Sequence, residues 1–187
     1  MKRAPLAALA LLLALAACGF PKVRPTPTQV AAPSNAQPTP TLEELTAQHV
    51  FGVDMTGFAF TKLPGRLQRQ ARRQYRAATE SLGPGAGKLT LRALTRSGDP
   101  FAVVLVVALT AESAAQPGVG TQFADGLAQT ASATAEDIDL GGLDGYVIES
   151  EGGTVVAWQD QNLLVATFAP DRAAGVTAAR AMVQASV

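Results

Sequence analysis

A nine-residue apolar run, Phe101 to Leu109, constrains the fold of this chain more than any other feature. Four of its residues are valine, a β-branched type that favours strands, and a run of this length is too short to cross a bilayer, which needs roughly 20 residues. Ser97 to Pro100 supplies turn residues before it, and earlier still Leu89 and Leu91 alternate with polar neighbours. The sequence therefore predicts a β-hairpin whose second strand is buried at the centre of a sheet.

Helices and further strands are predicted on both sides of this hairpin. Thr41 and Glu44 have the spacing of a capping box, which predicts a short helix from Leu42 to about His49. A longer helix is predicted over Arg66 to Leu82. Its helical period is carried by the apolar residues Leu67, Ala71, Tyr75, Ala78 and Leu82. Helices are also predicted from Thr121 to about Ala133 and from Pro170-Asp171 onward, with strands over 145–150, 154–158 and 163–168. Adjacent strands broken by helices predict an α+β fold with an antiparallel or mixed sheet of about five strands.

The N-terminus has the pattern of an exported chain. Met1, Lys2 and Arg3 precede a run of 12 apolar residues from Leu6 to Ala17, the arrangement of a secretory signal. This run is also too short for a transmembrane helix. It ends in Leu15-Ala16-Ala17-Cys18, an aliphatic residue and two small residues before the only cysteine, which resembles the bacterial lipobox.

The resemblance to bacterial lipoproteins implies an address and a modification. Residues 1–17 are then a signal peptide, cleavage falls between Ala17 and Cys18, and the Cys18 thiol carries lipid through a thioether, with acyl chains such as palmitate. The protein is then anchored to the membrane through Cys18, on the extracytoplasmic face of a bacterial cell envelope. Two or more acyl chains make such anchoring persistent. The alternative is an ordinary secretory signal with an incidental cysteine.

The rest of the chain divides into a spacer and one domain. Residues 18–41 hold Cys18 and a linker rich in proline and threonine, whose 23 residues from Gly19 could reach roughly 70 Å if fully extended. The linker is interpreted as a tether; a ligand for a proline-binding module is the alternative. Residues 42–187 are predicted to form a single domain, which without further cysteines must be stabilised by packing. Its end, GYVIESEGGTVVAWQDQNLLVATFAP and a final helix, resembles the end of PsbP-like domains found in several exported lipoproteins, and this implies the same α+β architecture.

The formal net charge of zero hides a lopsided distribution. Residues 42–96 carry nine Lys or Arg against four acids, whereas residues 97–171 carry eleven acids and no base. At 100° per residue, one sector of the predicted helix over 66–82 is basic and the opposite face is apolar. That sector holds Arg66, Arg69, Arg73 and Arg76, with Arg72 on its border. It is either a face for an anionic partner, such as lipid headgroups, or a solvated face whose arginines pair with the acidic half of the same domain.

Two motifs match known ligand loops only in part. The stretch GPGAGKLT at 83–90 does not complete a phosphate-binding loop, because positions 82 and 89 are leucine where such a loop needs glycine and a hydroxyl residue, so a flexible connection between helix and strand is favoured. The stretch DIDLGGLDGYVIE departs from a calcium-binding EF-hand loop at Gly141 and Ile148. A looser calcium site on Asp137, Asp139 and Asp144 is the alternative to an acidic turn, and no metal or cofactor is predicted.

Candidate catalytic residues are few. His49 is the only histidine, so a serine triad or histidine-ligated metal would need it. It is placed at a helix end, where simple capping contacts are common. Glu149 and Glu151 fall on one face of a strand, where solvated carboxylates are ordinary, and Trp158 is expected in the core. No catalytic residue is predicted.

The function favoured by these features is a lipid-anchored, non-enzymatic module that binds or supports another envelope component, either an envelope protein or an anionic surface. The alternatives are a carrier of a small ligand and a hydrolase with a site assembled from distant carboxylates and His49. Nucleic-acid binding is not expected, because the basic helix lacks interleaved aromatics and the chain after the leader carries 13 bases against 15 acids.

Overall fold

In the computed structural model, which describes residues 41–76, 79 and 82–186, seven strands form one sheet whose neighbouring pairs are all antiparallel. The strands are β1 (Phe58–Thr61), β2 (Thr90–Arg96), β3 (Asp99–Ala108), β4 (Ala135–Asp139), β5 (Asp144–Ser150), β6 (Gly153–Asp160) and β7 (Leu163–Ala169). Their order across the sheet is β1-β2-β3-β7-β6-β5-β4. Two meanders, β1 to β3 and β4 to β7, therefore meet where β3 pairs with β7.

Five α-helices lie in the described part of the chain. They are α1 (Leu42–Val50), α2 (Gly65–Gln74), α3 (Ala111–Ala114), α4 (Val119–Ala131) and α5 (Arg172–Ala185). α1 and α5 pack on one face of the sheet, and α2 and α4 pack on the other. Within the described residues, no helix is both long enough and apolar enough to cross a membrane.

Burial on both faces of the sheet explains the apolar run of β3. Val104 and Val106 belong to the core under α1 and α5, whereas Leu105 and Val107 belong to the core under α4. All four are fully buried. A strand covered on both sides has no polar face, so its sequence loses the alternation of a half-buried strand. The prediction of a buried central strand is confirmed.

The predicted α+β class and several local elements are confirmed. Thr41 Oγ1 accepts a hydrogen bond from the amide of Glu44 at 3.3 Å, and Glu44 Oε2 accepts one from the amide of Thr41 at 3.1 Å, which is the predicted capping box. β2 and β3 form the predicted hairpin. Its two-residue turn, Ser97-Gly98, has φ values of 54° and 90°, as such turns require.

Two differences from the sequence prediction concern strand number. The sheet has seven strands where about five were expected. β1 was not among the predicted strands, and β4 lies in the segment predicted as an acidic turn. β4 is an edge strand, and charged residues on an edge strand oppose pairing with another chain. This position explains why a strand can contain so many acids, although the composition of the segment favoured a loop.

The predicted helix over Arg66 to Leu82 is interrupted. α2 ends at Gln74, Tyr75 takes φ −96° and ψ 8°, and Arg76 and Thr79 are again helical. The Tyr75 ring packs against Phe168 of β7, with the ring centroids 4.5 Å apart. Ala78, which was expected on the apolar face of this helix, lies outside the described residues.

Candidate anionic-partner surface

α2 presents its arginines to solvent because its apolar stripe is held against the sheet. Leu67, Ala71 and Tyr75 pack on the core beneath α4, and each is partly buried. Arginines on the opposite side of the helix are exposed. They are Arg66, Arg69, Arg72, Arg73 and, just beyond the helix, Arg76. The division into a basic and an apolar face follows the 100° periodicity of the sequence.

A shallow groove of about 260 Å³ lies at the C-terminal end of this face. Its lining includes Arg72, Arg73 and Arg76 together with Lys88 and Leu89. Thr79 contributes to the lining from the segment after α2. We call the five arginines and Lys88 the basic surface. Sequence reasoning missed Lys88, because it comes from the chain after Gly83–Gly85 and not from the helix.

The arginines of α2 have no counter-ion among the described residues. Within the described residues, Arg66, Arg69, Arg72 and Arg73 form no ion pair, whereas Lys88 Nζ lies 3.8 Å from Glu44 Oε1. The Lys88 pair is exposed, with 64% of the lysine side chain accessible. Exposed pairs of this kind are worth little energetically, and they leave the surface positively charged.

The acids of β4 and β5 lie toward the opposite edge of the sheet from β1 and β2. β2 and β5 are separated by β3, β7 and β6, which at about 4.8 Å per strand spacing is about 19 Å. Two of these acids are paired with Arg172, whose Nη1 donates to Glu149 Oε2 at 2.8 Å and to Glu136 Oε2 at 3.0 Å. These hydrogen bonds raise the pKa of Arg172. The described acids of β4 and β5 therefore do not serve as partners for the α2 arginines.

The glycine-rich stretch at 83–90 is a packed connection. Gly83–Gly85 forms a turn of 3-10 helix, the Gly85 carbonyl accepts from the Thr110 amide at 3.0 Å, and the Gly87 amide donates to the Ala108 carbonyl at 2.6 Å. Gly85 lies directly against Ser113, so no side chain fits there. The expected connection between helix and strand is present, but it is packed against its neighbours rather than flexible.

The acidic segment forms the hairpin of β4 and β5. Asp139 pairs in register with Asp144, and both line a groove of about 390 Å³ with Asp137. Asp139 Oδ1 accepts from the amides of Gly142 at 2.7 Å and Gly141 at 2.8 Å, and these hydrogen bonds lower the pKa of Asp139. Among the described residues, no group of three or more His, Cys, Asp or Glu is placed to hold a metal ion.

The residues considered for hydrolysis lie apart. His49 is exposed in the last turn of α1, and α1 packs against β3, four strands from β4. Glu149 is bound by Arg172, whereas Glu151 lies beyond the end of β5 in a turn, so the expected pairing of these two on one strand face is wrong. Trp158 is 3% exposed in the core, as expected.

The lipobox residues, including Ala17 and Cys18, lie outside the described residues, so their role stays a prediction from sequence. Comparison of the chain with models of protein families, with curated proteins and with solved structures finds no match. What the basic surface binds is therefore inferred from the residues that form it.

Proposed function

We propose that this chain is a lipid-anchored, extracytoplasmic binding module of a bacterial envelope. The observation that carries the proposal is Leu15-Ala16-Ala17-Cys18 at the end of a 12-residue apolar run that follows Lys2 and Arg3. A thiol can form a stable thioether with diacylglycerol, and the small residues before it fit a peptidase groove. The position of the only cysteine gives this pattern its specificity.

The spacer supports a binding role for the domain it carries. Residues 19–41 contain six prolines, which favour extended chain. Such a tether lets a domain leave the bilayer surface, or return to it, without releasing the anchor. Lipid attachment and a long spacer together are typical of a protein that meets partners close to a membrane.

The basic surface is the proposed binding surface for an anionic component. Arg66, Arg69 and Arg73 are exposed and have no ion pair within the described residues, and Arg76 lies beside them. Arginine offers a planar fork of donors suited to phosphate and carboxylate groups. A face of this composition on a tethered domain favours a phosphate-bearing or acidic partner over an uncharged one.

The anchor is tested with Cys18→Ala in the native bacterium. We expect the wild-type chain to incorporate labelled palmitate and to stay in the membrane fraction after a high-salt wash. The Cys18→Ala chain is expected to lose both properties, whereas Ser34→Ala in the spacer is expected to keep them. Labelling that persists in Cys18→Ala, or a wild-type chain released without label, would contradict the proposal.

The binding surface is tested by crosslinking in intact cells. Arg69→Glu/Arg73→Glu removes two cations from α2, and Arg96→Glu/Arg180→Glu makes the same change of net charge elsewhere. We expect the crosslinked envelope component to be lost in the first variant and retained in the second. Equal capture by both variants would place binding outside the basic surface.

A further inference from the structure

The point at which the spacer enters the domain is unusually apolar. The described chain begins at Thr41, and the next two leucines, Leu42 and Leu45, are 75% and 48% exposed. Among the described residues, these two leucines are the exposed large hydrophobic side chains. Single exposed leucines are common, but these two are one helical turn apart, on the same side of α1. We call Thr41, Leu42 and Leu45 the tether end.

The tether end adjoins the basic surface. Glu44, which caps α1 by accepting from the Thr41 amide, lies 3.8 Å from Lys88 Nζ. Lys88 in turn lines the groove with Arg72 and Arg73. This end of the domain therefore joins the start of α1 to the groove beside α2 at Lys88, although the two helices pack on opposite faces of the sheet.

We propose that this end docks on the surface of a bilayer that contains anionic phospholipid. Arginines and lysine bind the headgroup phosphates, while Leu42 and Leu45 enter the boundary between headgroups and acyl chains. Charge favours anionic over neutral lipid, and the spacer, which leaves the domain at Thr41, brings this end toward the anchored Cys18. The inference rests on the proposed lipid anchor for its place in the cell.

The opposite edge of the sheet sets the orientation. Glu136, Asp137 and Asp139 of β4 lie at the far edge from β1 and β2. An anionic surface repels that edge and attracts the basic surface. The domain thus has one favourable orientation on anionic lipid, with β4 directed away from it.

Weak docking is sufficient because the tether keeps the surface close. Attachment through a linker makes docking an intramolecular step, whose effective concentration is set by the length and stiffness of the spacer. Each base close to an anionic surface favours binding by about fivefold. Removal of two therefore weakens binding about 30-fold, which is measurable even when the affinity is low.

The docking surface is tested by flotation of the full-length chain carrying Cys18→Ala, which has no lipid. Vesicles of phosphatidylcholine alone are compared with vesicles that contain phosphatidylglycerol as well. The apolar leader contributes equally in every variant, so only differences between variants are interpreted. We expect Arg72→Gln/Arg73→Gln to lower the partition coefficient on phosphatidylglycerol vesicles about 30-fold and to leave that on neutral vesicles unchanged.

The matched control, Arg96→Gln/Arg180→Gln, removes the same charge away from the groove and is expected to change partitioning less than threefold. Leu42→Ser/Leu45→Ser is expected to weaken binding to phosphatidylglycerol vesicles several-fold. Equal losses in the two arginine pairs, or equal partitioning of the parent chain into both vesicle types, would overturn the docking surface. Capture of a protein through Arg73 without this vesicle dependence would also overturn it.

Failure of the docking surface is distinguishable from failure of the anchor. A chain that incorporates palmitate in cells but shows no dependence on phosphatidylglycerol keeps the proposed function and loses this inference. A chain that binds phosphatidylglycerol through Arg72 and Arg73 but never carries palmitate keeps this inference and loses the proposed lipid anchor.

Discussion

Gly85 is a position where one added methyl group should be costly. A Cβ at Gly85 would overlap Ser113 Oγ and would lie 2.7 Å from Ser113 Cβ and 3.2 Å from Thr110 Oγ1. Ser113 is itself buried in α3, where its hydroxyl accepts a hydrogen bond from Thr110 Oγ1 at 3.1 Å. The side chain therefore has little freedom to move, and Gly85→Ala must displace the loop or α3.

Overpacking of this kind costs typically 1–3 kcal/mol, and we expect Gly85→Ala to lower the free energy of unfolding by about 2 kcal/mol. In a domain of this size that lowers Tm by about 6 °C. Gly65→Ala is the control, since its added Cβ meets only Arg69 Nη1 at 3.7 Å and an alanine suits a helix better than a glycine. We expect it to be neutral or slightly stabilising.

The cause is tested by a double-mutant cycle with Ser113, measured by urea denaturation. Ser113→Ala removes only the hydroxyl and should recover part of the loss, whereas Ser113→Gly also removes the Cβ and should recover more. Non-additivity is expected because the two residues touch. If Gly85→Ala is neutral, or if its cost is unchanged with Ser113→Gly, the close packing of this loop is not what excludes a side chain.

Three further predictions concern titration and the core. The pKa of Asp139 is lowered in the folded protein. Its contribution to stability is therefore present above about pH 4 and is lost as pH falls through the pKa of the folded state. Asp139→Asn should flatten the pH dependence of urea unfolding below pH 4. Burial raises the pKa of Tyr75 from 10.0 to about 12, so stability should fall as pH rises between these values, and Tyr75→Phe should reduce that fall in thermal melts. Phe123 is fully buried, and Phe123→Ala should cost about 3–5 kcal/mol in urea denaturation, against less than about 0.5 kcal/mol for the exposed Leu42→Ala.

Local patterns were sufficient for the elements whose environment is uniform. β3 is buried on both faces, so its apolar run is continuous and identifies it without further information. The capping box of α1 is likewise complete within four residues. In both cases the interaction that defines the element is encoded within the segment itself.

β4 was missed because its identity depends on a distant partner. Its pairing with β5 runs from Ala135 opposite Ile148 to Asp139 opposite Asp144, and three of its five residues are acidic. Acids and glycines are poor strand formers, so the composition favours a turn. Only the position of this strand at the edge of the sheet explains why the charges are tolerated.

The sequence predicted the arginines of the candidate surface, which belong to one predicted helix, and missed the residue that lies outside that helix. The 100° periodicity placed Arg66, Arg69 and Arg73 on the outward face of α2, since that depends only on local geometry, and Arg76 lies just beyond the end of this helix. Lys88 could not be added, because its place beside Arg72 is set by the connection that follows α2. Pairing between the arginines and the acidic half could not be judged before the sheet order was known.

Sheet topology converts the uneven charge of the sequence into an uneven charge of the domain. After β3, the chain passes through α3 and α4 to the far edge, and then returns strand by strand until β7 pairs with β3. The acids of β4 and β5 are therefore kept far from β1 and β2, and Arg172 compensates two of them there. Because the start of α1 meets the basic surface at Lys88, the fold also determines which part of the domain a tether would bring to an anionic membrane.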